Sequence, residues 1–249
     1  MKTFVEKLPN SNATLTAYLH DSSPELSNAN IRPCVIVFPG GGYGTLSDRE
    51  GEPIAAAFLA HGYHAFVLRY SVGKSMCFSD ALNDAQNALH RVRSNARQWN
   101  LNPELIAVCG FSAGGHLAAS LGVMGAERPN AMILAYPCIL SSMSRILSFP
   151  VPTCDDKVDS STPPAFLFHT ANDSAVPVEN SLRMADALDR NKIPFELHIF
   201  PNGPHGLALA NELTSNGSKA MCNQPAAQWM PLCLTWLKNL FVNFYTDSH

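Results

Sequence analysis

Gly110-Phe111-Ser112-Ala113-Gly114 follows a short apolar run, Leu105–Cys109 (LIAVC), and opens onto a helical pattern that continues Gly115-His116-Leu117. A serine at such a strand-to-helix turn is held in a strained backbone conformation that lifts Oγ out of the sheet. The flanking glycines are required because a Cβ there would collide with the neighbouring strand and helix. The helix N-terminus beneath the turn favours developing negative charge. G-x-S-x-G alone also arises in ordinary Gly/Ser turns; the strand before it and the helix after it make it specific here. Ser112 is the candidate nucleophile.

Working outward, short apolar runs alternate with longer helical patterns, the signature of a mostly parallel sheet covered by helices on both faces. Further strands are expected at Pro33–Phe38, Tyr63–Tyr70, Ala131–Tyr136, Ala165–Thr170 and Phe195–Phe200. Alternation in Ala13–Leu19 predicts an antiparallel edge strand before them. Helices are expected at Glu52–Ala60, at Ser79–Trp99 with Ser79 as N-cap, at Ser112–Met124, at Val178–Arg190 and at Gln224–Tyr245. Trp229, Leu232, Trp236, Leu240 and Phe244 form the apolar stripe of the last helix. Pro137–Pro164, with five prolines, reads as a loop holding one short helix, and is the place for a small lid. No internal repeat divides the chain, so 1–249 is expected to form a single α/β domain.

Pro39-Gly40-Gly41-Gly42-Tyr43 directly follows the strand at Pro33–Phe38. Acyl transfer creates an oxyanion that needs preorganised N–H donors, and a triple glycine lets backbone amides turn toward it. The expected donors are the amides of Gly41, Gly42 and Ala113; the alternative is a plain flexible turn. Asp173, in the turn after Ala165–Thr170, is the candidate acid, with Asp156 the runner-up. His205, on the Gly/Pro loop Pro201–Gly206, is the candidate base. The chain order Ser…Asp…His fits a strand-to-helix nucleophile. His116, on the nucleophile helix, reads as a packed structural histidine. Arg49 or Glu50, in Ser47–Glu52, either suits a helix N-terminus or orders the glycine loop or touches substrate.

Composition narrows the function classes. The 249 residues are 46% hydrophobic and 15% charged, with net charge -3. That low charged fraction fits a sheet buried on both faces. No basic cluster offers a footprint for nucleic acid. No stretch reaches the ~20 apolar residues that span a membrane. Glu6 and Lys7 interrupt any signal core, so a cytoplasmic location is expected. Seven cysteines, an odd number without a CxxC pair, read as free thiols, mostly buried. No HExxH or zinc-spaced Cys/His pair occurs, and the glycine loop lacks both G-x-G-x-x-G and the Lys-Ser/Thr of a P-loop. No metal or cofactor is expected.

Taken together, PGGGY (Pro39–Tyr43) with SDREGE (Ser47–Glu52), GFSAGGHLA (Gly110–Ala118), DSAVPVENS (Asp173–Ser181) and GPHGL (Gly203–Leu207) resemble the α/β-hydrolase superfamily. The closer likeness is to small bacterial acetylxylan esterases and related carbohydrate deacetylases, and it runs from about Pro33 to the C-terminal helix. Hormone-sensitive lipases and kynurenine formamidases more often carry a histidine where Pro39 stands. The resemblance implies a serine carboxylesterase acting on short acyl esters, acetyl above all, of sugars or xylo-oligosaccharides. Alternatives are an amidase, formamidase or peptidase on the same fold, an acyltransferase, or a non-catalytic ligand-binding relative.

Overall fold

The computed structural model describes residues 1–241. Eight strands form one sheet: β1 Lys2–Lys7, β2 Thr14–Leu19, β3 Arg32–Phe38, β4 His64–Arg69, β5 Leu101–Phe111, β6 Ala131–Ala135, β7 Ala165–Thr170 and β8 Phe195–Phe200. Their spatial order is β1-β2-β4-β3-β5-β6-β7-β8. β1 and β2 run antiparallel, and every pairing from β4 to β8 is parallel. The helices are α1 Glu52–Leu59, α2 Phe78–Ser94, α3 Ala96–Trp99, α4 Ala113–Met124, α5 Glu179–Arg190, α6 Gln224–Ala227 and α7 Trp229–Leu240.

β3 shows why the sheet needs two covers. All seven of its residues are buried. Cys34, Ile36 and Phe38 pack with residues of α2, α4 and α5 on one face. Val35 and Val37 pack with Ile54 and Phe58 of α1, and with Trp229 and Leu237 of α7, on the other. Such a strand reads as an unbroken apolar run because both of its faces are interior. Trp229 stacks on Phe168 at 4.6 Å and anchors α7. Full burial of one large apolar side chain contributes about 1.5–3 kcal/mol, so docking outweighs the weak propensity of so short a helix.

Four expectations need correction. β2 is not the edge strand: β1 lies outside it, and its charged, largely exposed sequence hid it. The helix expected from Ser79 begins one residue earlier. Cys77 is its N-cap, with the Asp80 carboxylate accepting from the Cys77 N–H at 2.8 Å. It also ends at Ser94, where Asn95 interrupts it before α3. The expected C-terminal helix is two, α6 and α7, meeting at Gln228; its final residues, Phe244 among them, lie outside those described. The segment 137–164 carries two single-turn 3₁₀ helices, Ser141–Arg145 and Asp155–Lys157, instead of one short helix.

No helix among the described residues is long and apolar enough to cross a membrane. All seven cysteines are free; Cys77 is exposed, Cys222 half-buried and the other five buried.

Candidate active site

Ser112 ends β5 and caps α4 with φ 55° and ψ -116°, a conformation that L-residues rarely adopt. Three backbone bonds hold it there. Its N–H donates to Ala135 O at 3.0 Å, and its carbonyl accepts from His116 N at 3.0 Å and Cys138 N at 3.1 Å. The glycines answer a measurable constraint. A Cβ on Gly110 would lie 2.1 Å from Gly114 O, and one on Gly114 would lie 2.0 Å from Phe38 O. Both neighbours are backbone atoms that cannot yield.

The structure brings Ser112, His205 and Asp173 into one hydrogen-bonded line. His205, on the loop after β8, places Nε2 2.8 Å from Ser112 Oγ and Nδ1 2.7 Å from Asp173 Oδ2. Asp173 follows β7, and its Oδ1 accepts from the Ala175 and Val176 amides, each at 2.9 Å. Burial alone would raise the Asp173 carboxyl. The imidazoles of His169, 3.5 Å away, and of His205, together with the Val176 amide, outweigh that and hold it well below the usual carboxylate range. An ionised Asp173 accepts from the Nδ1–H of His205, which leaves Nε2 with the lone pair that faces the Ser112 hydroxyl. The line can therefore draw a proton from Oγ.

The glycine loop turns beside this line. Gly41 and Gly42 have φ of +128° and +63°. Their amides, and that of Ala113 at the start of α4, donate to no acceptor among the described residues. A Cβ on Gly40 would meet Ser112 Cβ at 3.0 Å, so the loop runs directly over the serine.

The rival acids are engaged elsewhere. Asp156 is exposed and pairs with Lys157 at 3.5 Å, Asp155 pairs with Arg183 at 2.9 Å, and Asp159 with Arg128 at 2.6 Å. His116 is fully buried. Its Nε2 meets Pro152 O at 2.8 Å and its Nδ1 meets the Tyr43 hydroxyl at 2.9 Å, and burial pushes its pKa down to about 4. Arg49 donates to Gly206 O at 2.9 Å and to Thr214 O at 3.3 Å. Glu50 accepts from the Gly40 amide and the Tyr136 hydroxyl.

Two residues beside the line carried no sequence signal. Tyr136, which looks like the end of a strand, sets its ring edge-on to His205 at 5.1 Å. His169, inside β7, backs Asp173 while bonding Ser181 Oγ and Val176 O. Among the described residues no cluster of three His, Cys, Asp or Glu side chains is arranged to hold a metal ion.

Residues 22–138 match the family described as BD-FAE, and residues 150–219 match the prolyl oligopeptidase family. An acetylxylan esterase of Xylanibacter ruminicola is 30% identical over 199 residues, covering 70% of this chain and 41% of that protein. The chain spans about a third to a half of the length of the curated relatives it matches. An α/β hydrolase enzyme, MGS-M1, from a Medee basin deep-sea metagenome library is 44% identical. It superposes with a TM-score of 0.89 over 96% of this chain and 98% of its own. An acetyl ester-xyloside bifunctional hydrolase of Caldicellulosiruptor lactoaceticus is 36% identical, with a TM-score of 0.78 over 93% of this chain and 89% of its own.

Proposed function

The chain belongs to the α/β-hydrolase superfamily, and on that premise we propose that it is a serine carboxylesterase that removes short acyl groups, acetyl above all, from sugars or xylo-oligosaccharides. The observation that carries this reading is the Asp173–His205–Ser112 line, with its 2.7 and 2.8 Å links, ending on a serine at a strained strand-to-helix turn.

In this mechanism His205 Nε2 takes the Ser112 proton as Oγ attacks the ester carbonyl. Asp173 fixes the imidazole tautomer and stabilises the imidazolium. The amides of Gly41, Gly42 and Ala113, unpaired among the described residues, bind the oxyanion of the tetrahedral intermediate. His205 returns the proton to the departing alcohol. Water, deprotonated by the same imidazole, then attacks the acyl-Ser112 ester and releases the acid.

The acyl and alcohol preference rests on the acetylxylan esterase and the acetyl ester-xyloside hydrolase among the relatives. The match of residues 150–219 to the prolyl oligopeptidase family favours a second reading, a peptidase using the same line of residues. Acetate release from acetylated xylo-oligosaccharides, set beside hydrolysis of a peptide anilide and an aryl formamide, separates the two. Acetate release that disappears in Ser112→Ala supports the esterase. Anilide turnover that far exceeds ester turnover would install the peptidase instead.

A further inference from the structure

Resting on the esterase reading, we propose that Glu50 is a positioning residue. It locks the oxyanion loop to the His205 loop so that the amide donors and the imidazole address the same carbonyl.

Glu50 is a carboxylate at 3% exposure, and nothing in the mechanism above uses it. Burying such a group is costly unless its oxygens are satisfied. Both are. Oε2 accepts from the Gly40 amide at 2.8 Å, and Oε1 accepts from the Tyr136 hydroxyl at 2.7 Å. The Tyr136 oxygen in turn accepts from the Ala208 amide at 2.9 Å, and its ring lies edge-on to His205. One side chain thus reaches the amide preceding the proposed oxyanion donors. Through a single tyrosine it also reaches the backbone three residues beyond the base.

Arg49 makes the same crossing by another route. Its guanidinium holds Gly206 O and Thr214 O, on the far side of the His205 loop. A Cβ on Gly206 would lie 3.4 Å from Arg49 Nη2 and 3.9 Å from Glu50 Oε1, so both side chains reach the residue that follows the base. Two consecutive residues, placed just after the oxyanion loop, therefore both hold the chain immediately after His205.

The polarity of this chain of bonds is specific. An ionised carboxylate only accepts, and both groups facing it donate. The Tyr136 proton must point at Glu50 for the Tyr136 oxygen to receive the Ala208 N–H. A glutamine keeps the volume and one acceptor, but whichever way it turns its NH2 faces a donor, the Gly40 N–H or the Tyr136 hydroxyl, and one of the two bonds is lost. A carboxylate near a developing oxyanion opposes it electrostatically, so Glu50 serves through geometry and not through charge stabilisation.

The test measures kcat and KM for p-nitrophenyl acetate in wild type, Glu50→Gln, Tyr136→Phe, the double variant and Ser112→Ala. Each kcat is normalised to sites counted by end-point titration with an irreversible phosphonate, except for Ser112→Ala, which has no nucleophile to label and is referred to protein concentration. A displacement of about 1 Å costs on the order of 100-fold. Glu50→Gln and Tyr136→Phe should accordingly lose roughly 10- to 100-fold in kcat per titrated site, with KM within about threefold, as for interactions that matter in the transition state. The double variant should be no worse than the poorer single one, because both cut the same chain of bonds. Normal kcat per titrated site with only a lower melting temperature would reduce Glu50 to a folding role and overturn the proposal, as would additive losses. If Glu50→Gln does not fold, Tyr136→Phe alone decides by the same criterion. Activity surviving in Ser112→Ala would instead overturn the esterase reading.

Discussion

Asp173 Oδ2 lies 2.7 Å from His205 Nδ1, and the carboxylate is kept ionised by the imidazoles and amide around it. The exposed Asp156 spends its charge on Lys157. Asp173→Asn should therefore reverse the polarity at Nδ1 and present the wrong tautomer to Ser112. Loss of this partner costs on the order of 10⁴ in kcat where the same geometry is used. Asp156→Asn should change kcat by less than about tenfold, under ~1.4 kcal/mol. Steady-state kinetics of the two purified variants checks the ranking, and the opposite order would assign the acid elsewhere.

Ser112→Ala should abolish ester hydrolysis, with a loss of about 10⁴-fold or more in kcat. The fold should survive it. The three bonds that hold residue 112 are all backbone bonds, so the Oγ deletion leaves the turn intact. The backbone strain is carried over unchanged, because alanine is no easier than serine at φ 55°. Matching far-UV spectra beside residual hydrolysis at background level is the expected result.

Acid should weaken the fold before it reaches the carboxylates. Burial lowers His116 from 6.5 to about 4, and does the same to His64. Their folded-state pKa values lie below the unfolded one, so between these limits the unfolded chain binds more protons. Stability is then fully present above pH 6.5 and falls as pH drops toward 4, by up to about 1.4 kcal/mol per pH unit for each group. Protonating His116 would also place an N–H against the Tyr43 hydroxyl that now donates to it, straining the glycine loop. Urea denaturation at pH 7, 6, 5 and 4.5 should show the decline, and His116→Asn should reduce its slope by about one proton. A flat profile between pH 7 and 5 would contradict the assignment.

The parts legible in the sequence are those where a local pattern and a chemical demand coincide. Gly110–Gly114 could be read because its glycines answer backbone clashes inside one turn. The parallel strands could be read because burial on both faces leaves unbroken apolar runs such as β3. β1 escaped because this edge strand is mostly exposed and carries Lys2, Glu6 and Lys7. The roles of Tyr136 and His169, and the bond from Glu50 to Tyr136, escaped for another reason. His169, only four positions before Asp173, hides in an apolar strand run, and Glu50 lies 86 positions from Tyr136. No local spacing records such a contact. The same limit applied to Arg49 and Glu50 as a pair, whose acidic and basic side chains equally suit an ordinary helix start.

The acyl preference can be argued from the segment that walls the site. Residues 137–164 are tied to the glycine loop and to the nucleophile helix. The Ser148 amide donates to Gly42 O at 2.9 Å, the Cys154 amide to Ile139 O at 2.9 Å, and His116 bonds Pro152 O. The two 3₁₀ turns in this segment supply no helical cap that could roof an acyl tunnel. A tunnel would add about 0.8 kcal/mol for each buried CH₂. The six extra methylenes of octanoate over acetate would then amount to about 5 kcal/mol, a gain of more than 10³ in kcat/KM. A site closed near the acetyl methyl forfeits that gain and adds steric clash, so kcat/KM should peak at acetate or propionate and fall from butyrate onward. A series of p-nitrophenyl esters from C2 to C8 measures it directly. A maximum at C8 would remove the short-acyl proposal and leave the assignment of Ser112, His205 and Asp173 standing, because their geometry does not depend on what the acyl pocket holds.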